Sequence, residues 1–156
     1  MGMAATAGDA ALMRRALELA GEAGAAGDVP VGAVVADAAG RVIGEGMNAR
    51  EVEADPTAHA EIVALRRAAA SVGSWNLEGA TLAVTLEPCL MCAGAILQSR
   101  ISRVVFGAWE DKTGAAGSMY DVLRDRRLPV RVEVVAGVAE DEASALLRDF
   151  FDARRG

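Results

Sequence analysis

The chain has 156 residues, with 22 Asp and Glu against 16 Lys and Arg, and a formal charge of −6. At 53% hydrophobic and 24% charged residues it excludes a disordered chain, and its length suits one globular domain spanning residues 1–156. No apolar run approaches the ~18–20 residues of a membrane span, and Met1 to Gly27 lacks the basic and apolar regions of a signal peptide. Met1-Gly2 with Thr6 fits the loose myristoylation pattern, but no basic cluster follows to secure an anchor, so the match is read as chance.

In chain order, residues 9–24 place Leu12, Met13, Ala16, Leu19, Ala20 and Ala23 at helical spacing. VPVGAVVAD (29–37) and RVIGEGMN (41–48) read as two strands joined by a short loop ending in Gly40, as in a hairpin. Asp55-Pro56 reads as an N-cap followed by Pro at the first helical position, opening a helix that runs to about Val72. ATLAVTLE (80–87) is an apolar strand, and Pro88 ends it before a helix over 89–99. Residues 102–107 and 130–137 read as a fourth and a fifth strand, with a short helix over 119–126 between them. The last helix, 140–154, starts with three acids and ends with two Arg, matching the helix dipole. Its stripe of Ala143, Leu146, Leu147, Phe150 and Phe151 should face the core or a partner. Strands alternating with helices after an opening hairpin predict an α/β layered fold.

The reactive inventory is short: one His, His59, and two Cys, Cys89 and Cys92. Cysteines three apart cannot staple distant segments, so a disulfide scaffold is excluded and a cytoplasmic setting is the expectation. His59 falls early in the predicted second helix, and Pro88-Cys89-Leu90-Met91-Cys92 opens the next one, so both can meet at one edge of the sheet. A helix N-terminus favours thiolate, the metal-binding form. Three protein ligands leave a fourth tetrahedral position on Zn²⁺ open, the pattern of a catalytic site. Glu61 is the candidate proton carrier. On a helix it sits about 200° from His59, the two flanking a stripe of Ala58, Ile62, Leu65 and Ala69. A CxxC at a helix start also fits a thioredoxin-like redox pair, but the adjoining His-x-Glu and the Pro before Cys89 favour zinc.

The pattern His59-Ala60-Glu61 with Pro88-Cys89-Leu90-Met91-Cys92 is that of the zinc deaminases, whose signature includes the tRNA adenosine deaminases. VPVGAV (29–34), DPTAHAEI (55–62), TLEPC (85–89), MCAGAI (91–96), VVFGA (104–108) and KTGAAGS (112–118) extend the likeness, so that residues 10 to 152 resemble the bacterial tRNA-specific adenosine deaminases. The resemblance implies a three-layer α/β/α, cytidine deaminase-like fold with a five-stranded mixed sheet flanked by helices. It implies a homodimer with one Zn²⁺ per subunit that converts adenosine to inosine at the wobble position of a tRNA anticodon stem-loop. It further implies that His59, Cys89 and Cys92 hold zinc, that Glu61 shuttles protons, that Asn48 hydrogen-bonds the base, and that Val29, Pro30, Ala58 and Leu86 line the pocket. Glu110 stands where the family more often has Asp, which changes its reach to a sugar hydroxyl, and Trp109 beside it reads either as a stacking platform for a loop base or as a half-buried surface residue, with stacking slightly favoured.

A free-base or nucleoside deaminase acting on guanine or cytosine shares the same zinc core and is the nearest alternative. Net acidity argues weakly against nucleic acid as a partner, but the excess lies in residues 1–61, and residues 62–156 balance. Arg124, Arg126, Arg127 and Arg131 form a local basic run that reads equally as an RNA contact or as a solvated loop.

Overall fold

The computed structural model describes residues 4–155, so Met1-Gly2 of the myristoylation-like match lies outside the described residues. Helix α1 spans Ala7–Ala25 and begins two residues earlier than its apolar spacing suggests. The reason is a capping box: Asp9 N–H donates to Thr6 Oγ1 at 3.0 Å, and Thr6 N–H donates to Asp9 Oδ2 at 2.9 Å. The hairpin forms as expected from β1 (Gly32–Ala36) and β2 (Val42–Met47), antiparallel with Gly32 opposite Met47. Asp37 Oδ1 accepts from the amides of Ala39 and Arg41 and closes the turn.

β3 (Thr81–Leu86) runs antiparallel to β1 and parallel to β4 (Arg103–Ala108). β5 (Glu133–Val135) adds in parallel to β4 and is only three residues long, against the eight expected. The sheet order is β2-β1-β3-β4-β5, a five-stranded mixed sheet. Its pleat sends alternate residues to two cores. Val34, Ala83, Val105 and Val135 pack under Met13, Ala16 and Leu19 of α1. Ala33, Val35, Leu82, Val84, Val104 and Phe106 pack on the other face against α2 (Ala60–Val72) and α3 (Leu90–Gln98). Helix α4 (Glu140–Arg155) joins α1 beside β4, completing the three layers expected. Among the described residues no helix is long and apolar enough to cross a membrane.

Three expectations need correction. Helix α2 starts at Ala60, not near Pro56, because Asp55 Oδ1 is taken by the N–H and Oγ1 of Thr57 in a local turn. Its buried face is Ala60, Ala64, Leu65 and Ala68, with Ile62 and Ala69 only partly covered. No helix forms over 119–126. That segment folds back on itself, with Gly117 N–H donating to Tyr120 O and Val122 N–H to Ala115 O, both within 2.9 Å. The α4 stripe, by contrast, agrees with its expectation of facing the core or a partner: Ala143 is buried and Leu147 packs against the core, while Phe151 is 44% exposed.

Helix α2 lies on β2 so closely that a Cβ on Gly46 would sit 2.5 Å from Ala60 O and 2.6 Å from Ala64 N. Gly46→Ala is therefore expected to lose about 1–3 kcal/mol of stability in urea unfolding, because backbone cannot yield as a side chain can. Unchanged stability would show that α2 can lift off the sheet.

Arg103 at the start of β4 ties three elements together. Its Nη2 lies 2.5 Å from Asp9 Oδ2, its Nε donates to Asp9 Oδ1 at 3.2 Å, and its Nη1 donates to Glu133 Oε2 at 3.1 Å. Burial raises the Asp9 pKa, but the Arg103 and Thr6 hydrogen bonds outweigh it, and the net shift is downward. The stabilisation is thus present above the unfolded value of 3.8 and fades as the carboxylate is protonated below it. Arg103→Ala should destabilise strongly at pH 7, and the difference from wild type should narrow below about pH 3.8. A pH-independent difference would assign the loss to packing alone.

Candidate active site

The topology brings five chain segments to one edge of the sheet. Since β1 is antiparallel to β2 and β3, its start lies beside their carboxyl ends, and β4 ends there too. Ligand sites of open α/β sheets form outside such carboxyl ends. The N-termini of α2 and α3 point to the same edge: His59 is the N-cap of α2, and Cys89 is the N-cap of α3. His59 is therefore extended (φ −69°, ψ 152°) rather than helical, and the sequence-based 200° separation from Glu61 does not apply. His59 reaches outward from the cap while Glu61, one residue inside the helix, is buried at 4% exposure.

Cys89 Sγ and Cys92 Sγ lie 3.6 and 3.5 Å from His59 Nδ1, and all three donor atoms fall within 4.8 Å of one another. Tetrahedral zinc with Zn–N ≈ 2.0–2.1 Å and Zn–S ≈ 2.3 Å separates N from S by about 3.6 Å. The donor set fits that ion in type and in spacing. Proton sharing within the cluster points the same way. A hydrogen bond from Cys92 and another from His59 hold the Cys89 thiol down at about 4, although burial opposes them. The same Cys89 contact, with burial, pushes Cys92 far up. The pair thus readily gives up one proton and retains the second, which a divalent cation displaces. The contact with Cys89 also raises His59. Burial lifts Glu61 to about 7, a range in which a carboxyl can both take and give protons at neutral pH.

A cavity of about 240 Å³ opens over the cluster. His59, Glu61 and Cys89 line it, as do Asn48, Val29, Leu86 and Glu110 from the sequence-based set. Cys92 is fully buried behind. Pro30 and Ala58 are buried and do not line it; Pro30 packs instead toward Gly24 of α1. Asn48 is oriented by two local bonds, its Nδ2 donating to Val29 O at 3.1 Å and its Oδ1 accepting from Arg50 N–H at 3.2 Å. Trp109 meets Phe106 edge to face at 4.9 Å and does not line the cavity.

Six lining residues were not singled out from sequence: Val31, Arg50, Ala60, Glu87, Thr113 and Phe151. Arg50 and Thr113 sit in loops that carry no periodic signal. Phe151 arrives from the end of α4, which Arg154 fastens by donating to Gly27 O at 3.1 Å. Glu87, one residue past an apolar strand and two before Cys89, was the one with a readable signal, since a carboxylate there is costly to bury without partners. On the opposite rim Asp28, 1% exposed, accepts from the amides of Glu51 and Val52 at 2.8 and 3.0 Å and holds the loop that carries Arg50. The basic run is less available than its composition suggests: Arg124 pairs with Asp121 and Arg127 with Asp125, while Arg131 lies at the far edge of the sheet.

Comparison with known proteins agrees with this geometry. Residues 7–108 match the cytidine and deoxycytidylate deaminase zinc-binding region. The tRNA-specific adenosine deaminase of Haemophilus influenzae is 53% identical over 147 residues, 94% of this chain and 85% of its own. A solved structure of a tRNA:A34 deaminase, of the kind that edits A to I at the wobble position of transfer RNA, superposes with TM-score 0.83 at 41% identity, covering 88% of this chain and 99% of its own. The guanine deaminase of Nitrosomonas europaea superposes with TM-score 0.80 at 28% identity, over 96% and 86%. The His-x-Glu and Pro-Cys-x-x-Cys elements, the sheet order and these matches converge: the chain belongs to the cytidine and deoxycytidylate deaminase family of zinc-binding enzymes, alongside the tRNA-specific adenosine deaminases.

Proposed function

We propose that this protein hydrolyses adenosine to inosine at the wobble position of a tRNA anticodon stem-loop, releasing ammonia, in the cytoplasm and as a homodimer of one-domain subunits. The observation that carries the reaction is the buried Glu61 carboxylate lining the same cavity as His59 and Cys89. At about 240 Å³ that cavity falls below the roughly 300–1,000 Å³ of drug-sized sites and suits one flipped-out base. The substrate assignment is supported by the identity to the Haemophilus influenzae enzyme. Exposed Leu90, Met91, Met119 and Tyr120, on the start of α3 and the loop that bridges to Cys89, support a subunit contact there.

Zinc held by His59, Cys89 and Cys92 supplies the Lewis acidity that makes water nucleophilic near neutral pH. Glu61 accepts the proton of the attacking water and delivers it to N1 of the purine as C6 is attacked. It then carries a second proton to the departing amine, so that adenosine and water become inosine and ammonia. Asn48, held by Val29 and Arg50, keeps an N–H available for the base. Val29 and Leu86 flank the ring, and Glu110 stands at the rim toward the sugar. Incubation with a total tRNA pool, followed by sequencing, should show adenosine read as guanosine at wobble positions. Free guanine, cytosine and adenosine should release little ammonia. Guanine turnover with no inosine at any wobble adenosine would replace this reading with the free-base one.

A further inference from the structure

Glu87 is a buried carboxylate at the cavity with no place in the proton transfers above. It is 2% exposed, and its backbone extends the β3–β4 ladder by donating to Ala108 O at 2.8 Å. Its side chain accepts four hydrogen bonds from one loop. Oε1 takes Glu110 N–H at 3.0 Å and the Ser118 hydroxyl; Oε2 takes Ala116 N–H and Ser118 N–H, both at 3.0 Å. All four donors are neutral, and three are backbone amides. The loop folds so tightly over this group that a Cβ on Gly114 would overlap the Glu87 carboxylate. Within the loop, Gly114 N–H donates to Glu110 O at 2.8 Å, and Ala115 N–H donates to Pro88 O at 2.8 Å, beside Cys89. Of the two loop side chains that line the cavity, Glu110 is held through its own amide and Thr113 lies between that amide and the next one held, at Ala116.

We propose that Glu87 is a positioning residue: its carboxylate serves as the anchor of the 109–118 rim, setting Glu110 and Thr113 against the bound nucleoside without touching the reacting atoms. The proposal rests on the deaminase reading for its kinetic consequence, and on hydrogen bonding alone for its structural one. An acceptor-only group is required here. Glutamine has the same shape but one amide nitrogen. If that nitrogen takes the Oε2 place it faces two backbone N–H groups; at the Oε1 place it faces one, that of Glu110, while the Ser118 hydroxyl can rotate to accept. Glu87→Gln should therefore unhook Glu110 and leave the amides of Ala116 and Ser118 in place.

Two measurements on the zinc-loaded protein test this. In amide hydrogen exchange without substrate, Glu87→Gln should accelerate Glu110 by about tenfold or more, with Ala116 and Ser118 changed little. With an anticodon stem-loop carrying a wobble adenosine, KM should rise about tenfold, kcat should stay within about twofold, and zinc content should be unchanged. Ser118→Ala, which removes one donor and strands none of the others, should be milder in both. Unaltered exchange at Glu110, or a fall in kcat at constant KM, would overturn the proposal. If the wild type leaves the stem-loop adenosine intact, the substrate reading fails by itself, and the exchange experiment still decides whether Glu87 anchors the loop.

Discussion

Replacing Glu61 with alanine is expected to lower deamination by about 10²–10⁴-fold while leaving about one zinc per chain. The two readouts separate because Glu61 is not one of the three donors that cluster within 4.8 Å. Its position one residue inside α2 directs it into the core side of the helix, where burial lifts its pKa to about 7. A carboxylate in an ordinary exposed setting would be a poor proton donor at neutral pH; this one can give back to the leaving amine what it took from water. Glu61→Gln keeps the shape and the burial and removes the ability to cycle protons, so it should be as inactive as alanine, with a stability at least as high. Inosine formation is read by sequencing and zinc by elemental analysis. Near-normal turnover in either variant would remove Glu61 from the mechanism; loss of zinc together with activity would make it a structural support of the donor cluster.

The core of this arrangement was legible because three rare residues serve one purpose. With a single His and two Cys in the chain, a tetrahedral site with one open position could be assembled from spacing, and the strands that place it announce themselves in β-branched runs such as VVFG and LAVTL. The misread parts share a physical cause: tertiary contacts that no local pattern encodes. Asp55-Pro56 has the chemistry of a helix start, yet Thr57 takes the Asp55 side chain in a turn and Ala49 N–H donating to Ala58 O ties the segment to the exit of β2, so that His59 is still extended when the helix begins at Ala60. That contact turns His59 from a helical residue into a cap and thereby frees its imidazole to face the thiols. The segment 119–126 has enough apolar residues for a helix turn, but its neighbours' amides are bound to Glu87, and the chain that follows pairs back on Ala115. Pro30 and Ala58 flank residues that do line the cavity, and one position along an extended chain reverses a side chain's face. Membership of a site is a property of the face and is invisible to a motif.

Removing Cys92 should have the largest effect of any single change, because it acts on zinc, on activity and on stability together. The thiol is fully buried at the third residue of α3, His59 caps α2, and an ion held by both with Cys89 would tie together the N-termini of two helices that pack against each other. Cys92→Ala leaves one thiol and one imidazole, two ligands where a bound zinc needs three from the protein. Zinc content should fall from about one per chain to near zero, and inosine formation should vanish. A ligand at 100 times its Kd stabilises the folded state by about 2.7 kcal/mol, so at 2–4 °C per kcal/mol for a chain of this size the melting temperature should drop by roughly 5–10 °C. Chelation provides the control that separates lost metal from lost packing. A strong chelator should lower the wild-type melting temperature toward that of Cys92→Ala and leave the variant's own unmoved, since there is nothing left to extract. If the chelator shifts both proteins equally, the metal is held elsewhere; if the variant melts lower than chelated wild type, the difference measures what the buried thiol contributes by packing against its neighbours on α3.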